Sequence, residues 1–140
     1  MSSQTLRIII SIVLIVHGIG QLMGTLPALG LINTENWHAR SWLLTPALGD
    51  PAARIISIAL WVTAFAGFVA AGAGAFGWPV TSGSWRTIAV VASIISLVTL
   101  ALYWNAFAVL IPNKVGSIAV NVAAIVAILG LDWPSPDVIA

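Results

Sequence analysis

The sequence predicts an all-α integral membrane protein, a four-helix bundle with a short interfacial helix in its first loop. Three observations predict it. Of the 140 residues, 60% are hydrophobic and 6% are charged, and the mean hydropathy of +1.07 lies far outside the range of soluble globular domains. The apolar residues gather into four stretches, approximately 5–24, 53–76, 85–111 and 115–131, where a bilayer core about 30 Å thick asks for roughly 20 residues of helix. Each stretch opens on one cation: Arg7, Arg54, Arg86 and Lys114. Little chain is left over, so residues 1–140 read as one transmembrane domain with no second, soluble unit.

The first span follows MSSQTLR, a modestly positive start. Its apolar run is longer than a secretory h-region and no Ala-x-Ala site follows, so it is expected to be a retained helix. For the second span, Asp50-Pro51 supplies a cap and a proline in the first turn. Ser82-Gly83-Ser84 is the start signal of the third. Pro112-Asn113 makes a tight connection to the fourth, which predicts antiparallel neighbours, and Trp133-Pro134-Ser135-Pro136 ends the last helix.

A cation at a helix N-terminus opposes the macrodipole. Arg7, Arg54, Arg86 and Lys114 are therefore read as membrane anchors, with aliphatic stems in lipid and charges at the phosphates. Arg7 and Arg86 are expected at one membrane face, and Arg54, Lys114 and Arg40 at the other, so the positive-inside rule is nearly balanced. Arg7 and the α-amino group together tilt the expectation toward cytoplasmic termini. Of the seven tryptophans, Trp37, Trp42, Trp78, Trp85 and Trp133 fall near span ends, where aromatic belts form, while Trp61 and Trp104 fall farther inside.

Residues 25–52 are too long for a turn and too broken by proline for another span. Asn33 or Thr34 is expected to cap a short helix carrying Trp37, His38, Arg40, Ser41, Trp42 and Leu44. With Trp37, Arg40 and Trp42 as anchors, that helix should lie flat in the headgroup layer, and it could also serve as a lid over the bundle mouth. The small residues of 64–74 predict close helix packing, as does the Gly-x-x-x-Gly pair Gly20 and Gly24.

Polar side chains within the spans are the candidates for chemistry, because hydrocarbon cannot satisfy them. His17 and Gln21 share one helical face. Ser96, Thr99 and Tyr103 form a stripe, followed by Trp104 and Asn105, and Ser117 and Asn121 share a third face. Converging, they would make a polar interior able to hydrogen-bond a quinone carbonyl, a lipid or a sterol hydroxyl. The candidate ligand-binding set is His17, Gln21, Tyr103, Trp104 and Asn121. The plainer alternative is that Ser and Thr bond to their own helix and that Asn121 and Gln21 bond each other as interhelical glue worth about 1 kcal/mol.

Several chemistries are set aside. The absence of cysteine removes disulfides, thiolate metal sites and thiol redox steps. Bis-histidine haem needs two facing histidines, and His38 lies in the loop, which leaves His17 alone as an axial candidate. Glu35, Asp50, Asp132 and Asp137 all sit at span ends or in loops, so the carboxylates of ion-coupled transport are missing from membrane depth. No zinc spacing, phosphate-binding glycine loop or nucleophile–base set is present, and neither a metal nor an intrinsic cofactor is expected.

The first helix reads Arg7-Ile-Ile-Ile-Ser-Ile-Val-Leu-Ile-Val-His17-Gly18-Ile-Gly-Gln21-Leu22-Met-Gly24. It resembles the opening helix of the DoxX-like family, in which an arginine begins the span and His-Gly, two residues, a lysine or other polar residue, Leu, one residue and Gly close it. The matching positions are Arg7, His17, Gly18, Gln21 and Gly24, under a fifth of the chain. Gln21 stands where lysine is frequent, which removes a positive charge. The rest is similar in its four-span layout and long first loop. The resemblance implies a small membrane protein of a bacterial or archaeal cytoplasmic membrane. Some family members are linked to quinone-reducing enzymes such as thiosulfate:quinone oxidoreductase, and more distant relatives act as membrane chaperones or cargo receptors. The resulting expectation is a small, non-catalytic subunit of a quinone-linked redox complex whose electron carriers belong to other membrane subunits. The alternatives are a structural, assembly or lipid-binding subunit that self-associates or joins a complex and, last, a small transporter or channel. No feature points to nucleic acid.

Overall fold

A computed structural model of the chain describes residues 2–107 and 113–135. All the regular elements among them are helical, and three helices are long and apolar enough to cross a membrane, the mark of an integral membrane protein.

Helix α1 spans Ser3–Gln21 and is capped by Ser2, whose side chain accepts the Thr5 N–H at 3.1 Å. It tightens through a 3₁₀ turn, Leu22–Gly24, into a short α2, Thr25–Ala28, giving a 26-residue apolar rod from Ser3 to Ala28. The Thr25 hydroxyl donates to the Leu22 carbonyl at 2.6 Å across that junction. After the loop come α3, Leu44–Leu48, and α4, Asp50–Phe76, with Pro51 in its first turn. Gly77, at φ 109°, ends α4 in the left-handed conformation that favours glycine. Helix α5 covers Trp85–Leu102. Helix α6, Val115–Ile125, runs into a π-helical turn, Val126–Gly130, and this last apolar rod is 16 residues long by its bounds, Val115–Gly130.

The rods alternate in direction. At one end Arg7 reaches the Gly77 corner, and Arg86 donates to the Ile128 carbonyl at 3.1 Å and pairs with Asp132. At the other end Arg40 faces Asp50 and Lys114 lies over Trp104. Helix α4 sits between α1 and α5, and α6 packs on α5. The central cluster is made by Leu14, Phe68, Ala71, Ala75, Trp85, Ala89 and Ala92. Trp85, expected in an aromatic belt, is buried in that cluster.

Glycine permits the close approach of α1 to α4, but the seam differs from the expected pair. A Cβ on Gly24 would lie 2.4 Å from the Trp61 ring, and one on Gly18 would lie 2.9 Å from Phe68 Cβ, whereas one on Gly20 would meet nothing within 4 Å. Gly18 and Gly24 therefore form the seam, and Gly20 faces an open cleft. The small residues of α4 serve both sides of the helix. Gly72 meets Ile15 of α1, and Gly67 meets Ala92 of α5.

Two expectations are corrected. The third span does not run as helix to residue 111. It stops at Leu102, and Tyr103 leads into a 3₁₀ turn, Trp104–Ala106, before extended Phe107. Nor does a helix follow Asn33 or Thr34. Thr34 bridges to Trp37, and Trp37 bridges to Phe107, so the segment folds as turns. Within residues 25–52 the helical stretches before α4 are α2, which continues the first rod, and α3, which lies beyond Trp42. Both departures have one cause, since the end of α5 and the loop satisfy each other. The Ser41 hydroxyl donates to the Leu102 carbonyl, the Trp42 indole N–H donates to the Ala101 carbonyl at 2.7 Å, and the Trp42 backbone N–H donates to Asn105 Oδ1 at 3.0 Å. Helix ends leave carbonyls without intrahelical partners, and here the loop's side chains cap them. Pro112, Pro136, Asp137 and the expected helical residues 108–111 lie outside the described residues.

The glycine seam gives a direct test. Gly24→Ala should cost about 1–3 kcal/mol through overpacking against Trp61. Gly20→Ala should be neutral or stabilising by up to about 1 kcal/mol through helix propensity. Thermal unfolding of the two variants in lipid bicelles measures the difference, and equal losses would put the seam on the wrong face.

Candidate functional site

Helical spacing places His17 and Gln21 one turn apart on the inner edge of α1. Ser96 comes from the middle of α5 and Asn121 from α6. The four side chains form one connected ring. His17 Nε2 lies 3.0 Å from Asn121 Oδ1, the Asn121 amide donates to Ser96 Oγ at 2.8 Å, Ser96 Oγ donates to Gln21 Oε1 at 3.0 Å, and Gln21 Nε2 lies 3.2 Å from His17 Nε2. Ser96 and Asn121 are fully buried and Gln21 nearly so. In a low-dielectric interior such bonds are strong, and each unmade one is costly.

The ring contains one built-in choice. A single nitrogen, His17 Nε2, faces both an acceptor, Asn121 Oδ1, and an amide donor, the Gln21 nitrogen. A neutral imidazole can donate from Nε2 to Asn121 or accept there from Gln21, but one nitrogen cannot do both. The first tautomer leaves Nδ1 as an acceptor and the second makes it an N–H donor. Nδ1 bonds nothing among the described residues. The edge of the ring is held by Phe68, at a centroid distance of 4.6 Å and an interplanar angle of 82°.

Beside this ring a cleft of about 460 Å³ opens between α1 and α6. His17, Gln21, Asn113 and Ser117 supply its polar groups, Gly20 and Gly116 its narrow walls, and Trp61 and Phe107 an aromatic floor. The two floor rings meet edge to face at 5.8 Å. Val16 and Met23, more than or about half exposed, flank it on the outer surface of α1, so the cleft opens sideways, toward the surface a membrane helix presents to lipid.

Of the five ligand-binding candidates, three converge: His17, Gln21 and Asn121. Tyr103 does not join them. It is buried beside Trp61, Leu100 and Phe107, and its hydroxyl donates to the Ala53 carbonyl, tying the end of α5 to the start of α4. Trp104 is exposed and stacks under Lys114, whose Nζ lies 4.7 Å from the ring centroid. Ser96 was visible in the sequence as part of a Ser/Thr stripe, but nothing there separated it from Thr99. Thr99 instead bonds back to the Ile95 carbonyl of its own helix at 2.7 Å.

The anchor candidates divide similarly. Trp42 and Arg54 are exposed, Trp37 is half-buried against the Trp61 cluster, Arg40 faces Asp50, and Arg86 ties α5 to the end of α6. Lys114 is buried. Among the described residues no three His, Asp or Glu side chains gather as a metal site would require. Compared with protein-family models, curated proteins and solved structures, the chain gives no match.

A double-mutant cycle tests the ring. His17→Ala and Asn121→Ala should each destabilise the bicelle-embedded protein. Their coupling should fall at about 0.6–1.7 kcal/mol, the range of interhelical polar pairs in membranes. Strict additivity would mean that the two side chains do not bond.

Proposed function

We propose that this chain is a four-helix membrane protein of DoxX-like type that holds the head of an apolar ligand, a quinone before other lipids, in the α1–α6 cleft. It does so as a small, non-catalytic subunit whose electron carriers reside in partner proteins of a bacterial or archaeal cytoplasmic membrane, with both termini in the cytoplasm. The observation that carries this reading is the side-opening cleft, about 460 Å³ in volume, with two aromatic rings beneath it and one imidazole at its edge. Pockets for small ligands are mainly apolar with a few placed polar groups, and this one matches a flat ring bearing carbonyl oxygens. The His17 tautomer choice adds chemical fit. An Nδ1–H can donate to a quinone carbonyl, and a bare Nδ1 can accept from a quinol or lipid hydroxyl.

A second reading has its own observation. Gln21, Ser96 and Asn121 spend their hydrogen bonds on each other and on His17, which favours a ring that locks the bundle of a structural or assembly subunit. On that reading His17→Ala lowers protein abundance and leaves quinone-dependent activity unchanged at matched protein levels.

Gly20 separates the two. Its Cβ position is open, so Gly20→Leu fills the cleft while leaving the ring intact. With the protein extracted in a gentle detergent, mass spectrometry should find co-purified quinone or lipid in the wild type and at least about tenfold less, or about 1.4 kcal/mol, in Gly20→Leu. Equal recovery from the two would contradict ligand binding in the cleft. Stoichiometric recovery with a quinone-reactive complex would support the subunit role, and recovery alone or as a homo-oligomer would contradict it.

A further inference from the structure

A second cavity, about 750 Å³, lies where the first loop meets the start of α4 and shares no lining residue with the α1–α6 cleft. Its polar wall is rich in donors. Arg40 and Arg54 contribute two guanidinium groups, Asn33 an amide, and His38 an imidazole whose neutral tautomer is set by its neighbour. His38 Nδ1 accepts the Arg40 backbone N–H at 3.2 Å, so the proton of the neutral ring is on Nε2, a donor that bonds nothing among the described residues. One carboxylate, Asp50, faces this group. Its contact with Arg40 is 3.6 Å between side chains that are 69% and 60% exposed, too long for a hydrogen bond and weak as a surface ion pair. Arg54 lies one helical turn from Asp50 yet has no ion-pair partner among the described residues. Two cations against one anion leave the cavity net positive.

The lower wall is apolar. Ile55 and Ile58 follow Arg54 down α4, and Ile55 is 67% exposed. Donors above and an exposed aliphatic track below match an amphiphile whose anionic head carries acyl chains. A free anion would gain nothing from the track. Guanidinium groups bind phosphate oxygens in charge-assisted, often bidentate pairs.

We propose that this cavity binds the phosphate group of an anionic phospholipid, held by Arg40, Arg54 and His38, with its acyl chains laid along Ile55 and Ile58. The site is separate from the α1–α6 cleft, and its test is independent of what that cleft holds. The full chain, purified in a mild detergent, is titrated with dioleoyl phosphatidylglycerol and with dioleoyl phosphatidylcholine and followed by native mass spectrometry. The wild type should prefer the anionic lipid, and Arg40→Gln/Arg54→Gln should lose at least about fivefold of that preference as the charge-assisted bonds disappear. Asp50→Asn breaks the same Arg40–Asp50 pair but frees Arg40 for the ligand, so it should strengthen binding of the anionic lipid. A double variant that keeps the preference overturns the proposal. So does an Asp50→Asn variant weakened alongside the arginine variant, because the pair would then be structural. Inorganic phosphate at millimolar concentration that displaces the lipid would make this a free-anion site and would overturn it as well.

Discussion

In an apolar surround a polar side chain has nowhere to turn but another polar side chain, and the arrangement of this protein depends on that constraint. Lipid tails give helices no hydrophobic reason to associate. What joins α1, α5 and α6 is the ring of His17, Gln21, Ser96 and Asn121, each supplied by a different turn of helix and each within hydrogen-bonding distance of its neighbours in the ring. Helix α4 contributes no member. It contributes small residues, which let α1 and α5 approach closely enough for the ring to close. The cleft follows from the same geometry. Because α6 packs on α5 and meets α1 through the His17–Asn121 contact, a gap remains on the outer side of that contact, and Gly20 keeps it open.

The two ends of the bundle solve a different problem, that of unfinished backbone. At one end Arg86 gathers the Ile128 carbonyl and the Asp132 carboxylate, fastening the π-helical turn of the last rod to the start of α5. At the other, the first loop donates Ser41 and Trp42 to the last carbonyls of α5. The loop is thereby fixed to the helix it crosses, and its turn-rich stretch frames the donor-lined cavity beside Arg54. Side chains that finish a helix in this way also set where a site can form, since they decide which cations are left facing outward.

The positions of the apolar rods could be read in the sequence because hydropathy is a property of consecutive residues. Their inner faces were partly readable because His17 and Gln21, one turn apart, must share a face. Longer-range facts were not. Nothing local distinguishes Ser96, which crosses to Gln21 and Asn121, from Thr99, three residues on in the same stripe, which bonds back to the Ile95 carbonyl of its own helix. The Gly20–Gly24 spacing fitted a packing motif, yet the helix seats Gly18 and Gly24 because the knobs opposite them are Phe68 and Trp61. The helix expected after Thr34 fails for a similar reason. Ser41 and Trp42 find tertiary partners at the end of α5, and those bonds override local preference. Tyr103 fitted the polar stripe by spacing, but the break in α5 at Leu102 turns it toward Ala53.

The ring itself is open to direct observation. Solid-state NMR of the protein in lipid bilayers, with ¹⁵N-labelled histidine and ¹³C,¹⁵N-labelled asparagine, reports through-space contact between the His17 imidazole and the Asn121 side chain, and the ring-nitrogen shifts report which tautomer is present. The account predicts a cross-peak between His17 Nε2 and the Asn121 side-chain carbonyl carbon, with a neutral imidazole in the bilayer. A His17 ring that shows no contact with Asn121 and correlates only with water or lipid would contradict it.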